Sequence, residues 1–591
     1  MFSGLRVFSP PDFPVLSLGV QARIPAVERK EQSQFRILIS HFLDRFFHNE
    51  LVSSDDGAKK RLLQVVYAIA LPELVVALFL FPAYHAPLPR PYWSQVSDHY
   101  FFVLYPFVAL GLVSIFAWDL FFPDLLDLFV LTPLSISSGS LFRARIVSAC
   151  LFLGLFLLGT NALGAIFYPL LSEPPQFLRH VFAHLAGVLT GGAFAAGSIL
   201  GLQGLIATIL GERLFRLVAP LLQAVAVMAL VTILLVFPVS SQFLAPLVSL
   251  PAARFFPPFW FLGIYETVLS GASLPVFRTL AHTGWLAMAV MIASVIVSYP
   301  IAYRRKMRFL LEASDAHATP GLAVVPWYRL LHATLLRNPV QRGIYHFISH
   351  SLLRTQRHRV YLAIYGGLGL ALLIASTVLL KLTPGHLGFA LSVDGLRAAI
   401  PIVAFWTIVG LRTAFVSPAD RRGGWIFRVL LGRPGVVQLN ATELWVLPCA
   451  IMLTLAMVVV TAVLAHQELA GWRPAISQTL VAIGLCLLLT DVFFLAVRSI
   501  PFTGGERASG TNFAFILLQY FGLFPPLVWL TVSLEPWLEV AWWHVAIALG
   551  VIAGAHCVMR RVHRKNASYH AQLIDLDDDE EEFPQRLGLR Y

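Results

Sequence analysis

Ionisable side chains are few within the apolar stretches of this chain, so each one there has to be accounted for. Glu73, His184, Asp491, His544 and His556 fall inside stretches long enough to cross a bilayer. A charged Asp, Lys or Arg at the centre of a membrane helix costs roughly 2.5–3.5 kcal/mol on insertion scales. Such groups either pair inside the protein or handle a proton, an ion or a polar substrate. Glu73 and Asp491 are the two candidates for intramembrane polar chemistry. The competing reading has both protonated or paired within a helix bundle, with the histidines hydrogen-bonded near the ends of their spans. Covalent chemistry has less support, because no His-Glu-x-x-His, no carboxylate pair at catalytic spacing in one span and no Ser/Lys or Ser/His pair stands out. No catalytic residue is therefore expected. There is also no Gly-x-x-x-x-Gly-Lys-Ser/Thr phosphate loop, and Gly504-Gly505-Glu506-Arg507 reads as a turn. Cys150, Cys449, Cys486 and Cys557 have neither paired nor His/Cys spacing, so neither a disulfide framework nor a metal site is expected.

The elements that would hold these groups are membrane helices. Hydrophobic residues make up 58% of the chain, charged residues only 13%, and the mean hydropathy is +0.74, which excludes a soluble globular domain. Twelve apolar spans lie at roughly 62–84, 101–118, 146–168, 180–205, 217–238, 283–303, 360–380, 398–411, 444–465, 475–497, 514–534 and 540–558. Their apolar residues do not alternate, so they are expected to be helices and not strands of a barrel. With the N-terminus cytoplasmic, the inward segments hold 36 of the 43 Lys and Arg residues, and the outward ones hold Arg90, Arg179, Arg254, Arg278, Lys381, Arg397 and Arg473. One missed span would invert every later loop and erase that bias. The expected fold is therefore all-α and polytopic, with both termini cytoplasmic, in a bacterial inner membrane. The net charge of +11 is accounted for by topology and anionic lipid, and not by nucleic acid.

The spans divide the chain into a cytoplasmic lead (1–61), a first six-helix half (62–303), a basic connector (304–359), a second half (360–558) and a tail (559–591). No cleavable signal is expected in the lead, which lacks a long apolar core. Phe35, Leu38, Ile39, Phe42, Leu43 and Phe46 recur there at helical spacing, which fits a helix lying in the headgroup layer or packed on other cytoplasmic parts. Span four carries Gly187, Gly191, Gly192, Gly197, Gly201 and Gly204, a pattern of close helix packing. The tail run Asp577–Glu582 reads as a solvated segment.

Two loops carry further signals. Between spans five and six, Phe255, Pro257, Pro258, Trp260, Tyr265 and Glu266 belong to an outward segment too apolar for free solution, expected to form short re-entrant helices packed on protein. Between spans two and three, Asp119, Asp124 and Asp127 precede Leu131-Thr132-Pro133-Leu134-Ser135, followed by Ala144-Arg145. Pro133 ends one helix there, and the serines after it are suited to cap the next.

This segment resembles the coupling loop in membrane subunits of ABC-2-type ATP-binding-cassette exporters. In that family an acidic opening leads through "Leu-x-x-Pro-hydrophobic-Ser" to a small residue and a base entering the third helix. The resemblance implies that Asp124, Asp127, Leu131, Pro133, Ser135, Arg143 and Arg145 form the docking element for a separate ATPase, and that the long outward loop is the family's re-entrant segment. It covers the first six spans in layout. Twelve spans instead of six imply a fused double-length form, and the family's Arg-Glu opening is missing. In the second half the matching segment, with Trp425, Phe427, Arg428 and Pro434, fits either a second, diverged docking element or an ordinary basic interfacial loop. The implied function is an exporter permease that holds no cofactor itself, with ATP and magnesium on partner subunits. Proton-coupled secondary transport through Glu73 and Asp491 is the alternative, followed by an intramembrane enzyme or a non-transporting scaffold.

Overall fold

A backbone surrounded by hydrocarbon must bond to itself, and the apolar runs accordingly fold as long helices. In the computed structural model the described residues are 25–47, 58–123, 129–131, 133–134, 136–172, 176–270, 274–313, 336, 338–383, 386–416, 436–464, 471–494, 502 and 513–572. The helices are α1 (Pro25–Phe47), α2 (Ala58–Tyr84), α3 (Tyr92–Phe116), α4 (Ser138–Asn161), α5 (Gly164–Ser172), α6 (Phe177–Leu235), α7 (Phe237–Gln242), α8 (Leu244–Ser249), α9 (Pro257–Ser270) and α10 (Pro275–Ala313). There follow α11 (Pro339–Arg354), α12 (Gln356–Thr377), α13 (Val393–Val416), α14 (Val436–Leu464), α15 (Trp472–Phe494), α16 (Phe513–Val540) and α17 (Trp542–Gln572). Among the described residues, eleven segments are apolar and long enough to cross a membrane.

The eleventh expected span, 514–534, lies within α16, which is helical but is not among the eleven found. Pro525, Pro526 and Pro536 interrupt it, and Glu535 and Glu539 sit in its last turns.

Two of the spans are not single rods. The third is α4 followed by α5, with a break at Ala162–Leu163. In α6 the chain turns at Gly211, where φ is 72° and ψ 165°, a conformation that side chains with a Cβ rarely adopt. This turn separates spans four and five.

Side-chain contacts fix the direction of each helix. Val66 meets Gly159 and Glu73 meets Gly164, so α2 and α4–α5 run parallel. His99 pairs with His180 and Phe107 stacks on Phe194, so α3 runs parallel to the first limb of α6. Gly197, Gly201 and Gly204 meet Met291, Ser294 and Ser298, which adds α10 to that set. In the later part Trp472 stacks on Trp542, Gly484 meets Ile552 and Asp491 pairs with His556, so α15 and α17 run parallel, while the Thr454–Cys486 and Thr461–Gln478 pairs set α14 antiparallel to α15.

The buried core is divided in the same way. One cluster is drawn from residues 344–548, the others from residues 77–281, 46–302 and 38–144. They meet where α12 packs on the second limb of α6. There a Cβ on Gly367 would lie 2.6 Å from the Ala224 carbonyl oxygen, so the two backbones touch.

The span-four glycines serve a different contact from a seam between halves. Gly187 and Gly191 face Tyr265 and Phe261 of α9, and Gly197, Gly201 and Gly204 face α10.

One feature departs from the all-α expectation. Val378–Thr383 and His386–Leu391 pair as an antiparallel hairpin between α12 and α13, with Pro384-Gly385 joining the strands in sequence. The apolar span rule is blind to so short a pair, which carries no 20-residue signal.

Candidate functional site

The loop after α3 is held by its own anchor. Trp118–Phe121 forms a 3-10 turn, residues 129–131 are helical, and Leu131 drops into a pocket lined by Leu38, Phe42, Leu141 and Ala144. The anchor therefore rests on α1 and on the start of α4. Arg145 is buried, donates from Nε to the Leu120 carbonyl at 3.2 Å and lies 5.0 Å over the Phe42 ring. Ser148 Oγ donates to the Ile39 carbonyl at 3.0 Å. Ser137 caps α4 by accepting from the Ser140 amide at 3.2 Å, as the serine run suggests. Around the buried Leu131, Phe129, Val130, Pro133 and Leu134 are exposed. Arg143 is exposed and, among the described residues, bonds within its own helix turn, to Gly139 and Ser140. Asp124, Asp127 and Ser135 lie outside the described residues, as do Trp425, Phe427, Arg428 and Pro434.

At the opposite end of the same helices lies a buried polar chain. Glu266 Oε1 sits 2.5 Å from His99 Nδ1, His99 Nε2 sits 3.3 Å from His180 Nε2, and His180 Nδ1 sits 3.4 Å from Ser172 Oγ. With both imidazoles neutral, one proton direction satisfies every link: Ser172 donates to His180, His180 to His99, and His99 to Glu266. Glu266, His99 and His180 are each at most 2% exposed. Beside them, Tyr84 donates to Asp98 at 2.9 Å and so accepts from Tyr168 at 2.8 Å, while Arg90 makes a two-pronged contact with Asp98 at 2.6 and 2.7 Å. That contact holds the Arg90 guanidinium pKa above its ordinary value, so it is charged throughout the physiological range. The Tyr265 ring stacks on His99 with centroids 4.4 Å apart. His184, one turn beyond His180, is buried with neither ring nitrogen hydrogen-bonded.

No protein-family model, curated protein or solved structure matches this chain.

Of the outward-loop residues, Tyr265 and Glu266 enter the chain described above, and Pro258 is buried. Pro257 opens α9, half-buried Trp260 donates to the Arg254 carbonyl at 2.8 Å, and Phe255 is exposed. The short helices α7, α8 and α9 with the 3-10 turn Pro251–Phe255 fit the expectation of short helices packed on protein. Glu73 is fully buried against the backbone of Gly164, the first residue of α5, and among the described residues no side chain hydrogen-bonds to its carboxylate. Asp491 is not near Glu73; it accepts from His556 Nδ1 at 2.6 Å across α15 and α17. His544 instead sits 2.5 Å from the Trp537 carbonyl and stacks on that ring.

His99, Asp98 and His180 are absent from the sequence reading. The apolar run of the second span starts at residue 101, but α3 begins at Tyr92, which carries Asp98 and His99 into the bundle. Two adjacent polar residues abutting an apolar run were the available signal. The Arg397–Glu539 and Arg560–Glu443 pairs, at 3.3 and 3.1 Å, were not legible, since each links helices more than 100 residues apart.

Proposed function

We propose that this chain is the membrane-spanning permease of an exporter driven by ATPase subunits that bind in trans to its basic, cytoplasmic face. The observation that carries this reading is the loop between α3 and α4. Its apolar tip (Phe129, Val130, Leu134) is exposed, while Leu131 and Arg145 tie it to α1 and to the start of the third span. A partner pressing on that tip moves a transmembrane helix and not only a loop. In the second half α11 precedes α12 and packs on α14, as α1 precedes α2 and packs on α4. This likeness supports two six-helix halves, fused head to tail, that ATP binding by the partners rocks against each other. ATP and magnesium reside on the partners, both termini lie in the cytoplasm of a bacterial cell, and this chain performs no covalent step.

The test is co-purification in mild detergent with candidate ATPases encoded nearby, followed by ATP turnover. The expected result is a complex whose turnover Phe129→Ala or Leu134→Ala abolishes. Recovery of the chain with no nucleotide-binding partner under crosslinking would overturn the reading.

The buried carboxylate–imidazole pairs favour a second reading, proton-coupled transport. It requires Glu73 or Asp491 to titrate, so persistence of transport in the Glu73→Gln, Asp491→Asn double variant eliminates the version based on those two residues.

A further inference from the structure

At the basic end of the first group of helices, where α6 turns at Gly211 and α10 leaves its apolar stretch, there is a cavity of about 120 Å³. Its floor is apolar and buried, made by Phe122, Phe215 and Ala302, and its rim carries Arg305 and Lys306. A single water needs only about 10–15 Å³ of such space, so the cavity has room for a larger polar group. Gly211 opens the wall, because a Cβ at that position would meet nothing within 4 Å. Arg305 donates through Nη1 to the Thr208 carbonyl, which orients the guanidinium at the rim, and the Lys306 ammonium lies 5.4 Å over the Phe122 ring.

The surroundings point to an amphiphile. Ile209 and Leu210 adjoin Gly211, Ile301 adjoins Ala302, and all three are exposed on the apolar outside of the bundle. An anion bound at this level has acyl-chain surface next to it. Basic pockets between membrane helices hold phosphate headgroups by this combination of charge and adjoining apolar surface.

We propose that this cavity is a binding site for the phosphate diester of an anionic phospholipid, with Arg305 and Lys306 as its cationic contacts. A lipid seated there bridges the Gly211 turn between spans four and five to α10, and so ties together helices on both sides of the turn.

The test uses the full chain, stripped of lipid in a neutral detergent. Phosphatidylglycerol, phosphatidylcholine and inorganic phosphate are each titrated while the thermal midpoint and native mass are followed. Phosphatidylglycerol is expected to raise the midpoint saturably and to leave one-lipid adducts, while phosphatidylcholine and inorganic phosphate do neither. Arg305→Gln with Lys306→Gln is expected to weaken the phosphatidylglycerol effect at least tenfold, while Lys59→Gln with Lys60→Gln, an equal loss of charge elsewhere, leaves it unchanged. Should the double variant fail to fold, Lys306→Met, which keeps most of the stem, carries the same comparison. Equal protection by phosphatidylcholine, or an undiminished effect in the rim variant, would overturn the site. Protection by inorganic phosphate alone would overturn the lipid as its source.

Discussion

The Ser172–His180–His99–Glu266 chain depends on each member offering one donor or acceptor in the right direction. Replacing His99 by Ala leaves the His180 N–H and the Glu266 carboxylate facing each other across a void. An unsatisfied buried polar group costs about 1–3 kcal/mol, more when charged. Glu266→Gln keeps an oxygen that accepts from His99, so its loss should be the smaller of the two. Thermal midpoints of the purified variants decide this, and equal losses would contradict the assigned proton directions. Glu73 presents the opposite case. Its carboxylate, with no side-chain partner among the described residues, sits against Gly164 at the break between α4 and α5, so Gly164→Ala forces the two apart. That variant should lower the midpoint while Gly139→Ala, at an open position in the first turn of α4, should not.

At the scale of the element, the same substitution has opposite consequences on adjacent faces of α12. Gly367 touches the Ala224 carbonyl and Val227, whereas Gly366 faces open space. Gly367→Leu should overpack the seam by about 1–3 kcal/mol or more and broaden the size-exclusion peak. Gly366→Leu should leave both the midpoint and the peak as they are. The loop between α3 and α4 offers a second contrast. Leu131→Ala removes the anchor and should cost about 2 kcal/mol, at the low end for a buried leucine because its cluster is small. Phe129→Ala removes exposed surface, so stability should hold while partner-stimulated ATP turnover falls. Loss of stability in both, with turnover per folded molecule intact, would make the loop structural.

For the molecule as a whole, alternating helix directions and the one-sided Lys/Arg distribution make a single orientation the consistent one. Lys381→Cys, at an exposed position of the Val378–Thr383 strand, should react with a membrane-impermeant maleimide in intact cells, and Lys565→Cys, near the end of α17, should not. Cys150 and Cys557 would be replaced by Ala to clear the background. Labelling of Lys565→Cys from outside would invert the orientation and remove the exposed loop from the reach of a cytoplasmic ATPase.

Membrane insertion is decided by local composition, which is why eleven of the twelve expected spans, their order and the helix before the first one were legible in the residues alone. Span ends were less so: Tyr92 starts α3 well before its apolar core, because a helix continues past the hydrocarbon wherever protein satisfies its polar side chains. Which polar groups meet is a matter of how helices distant in sequence turn towards one another. Only the tertiary structure paired Glu266 with His99 and Asp491 with His556, set Glu73 against the Gly164 backbone, and opened a cavity between Phe122, Gly211 and Arg305.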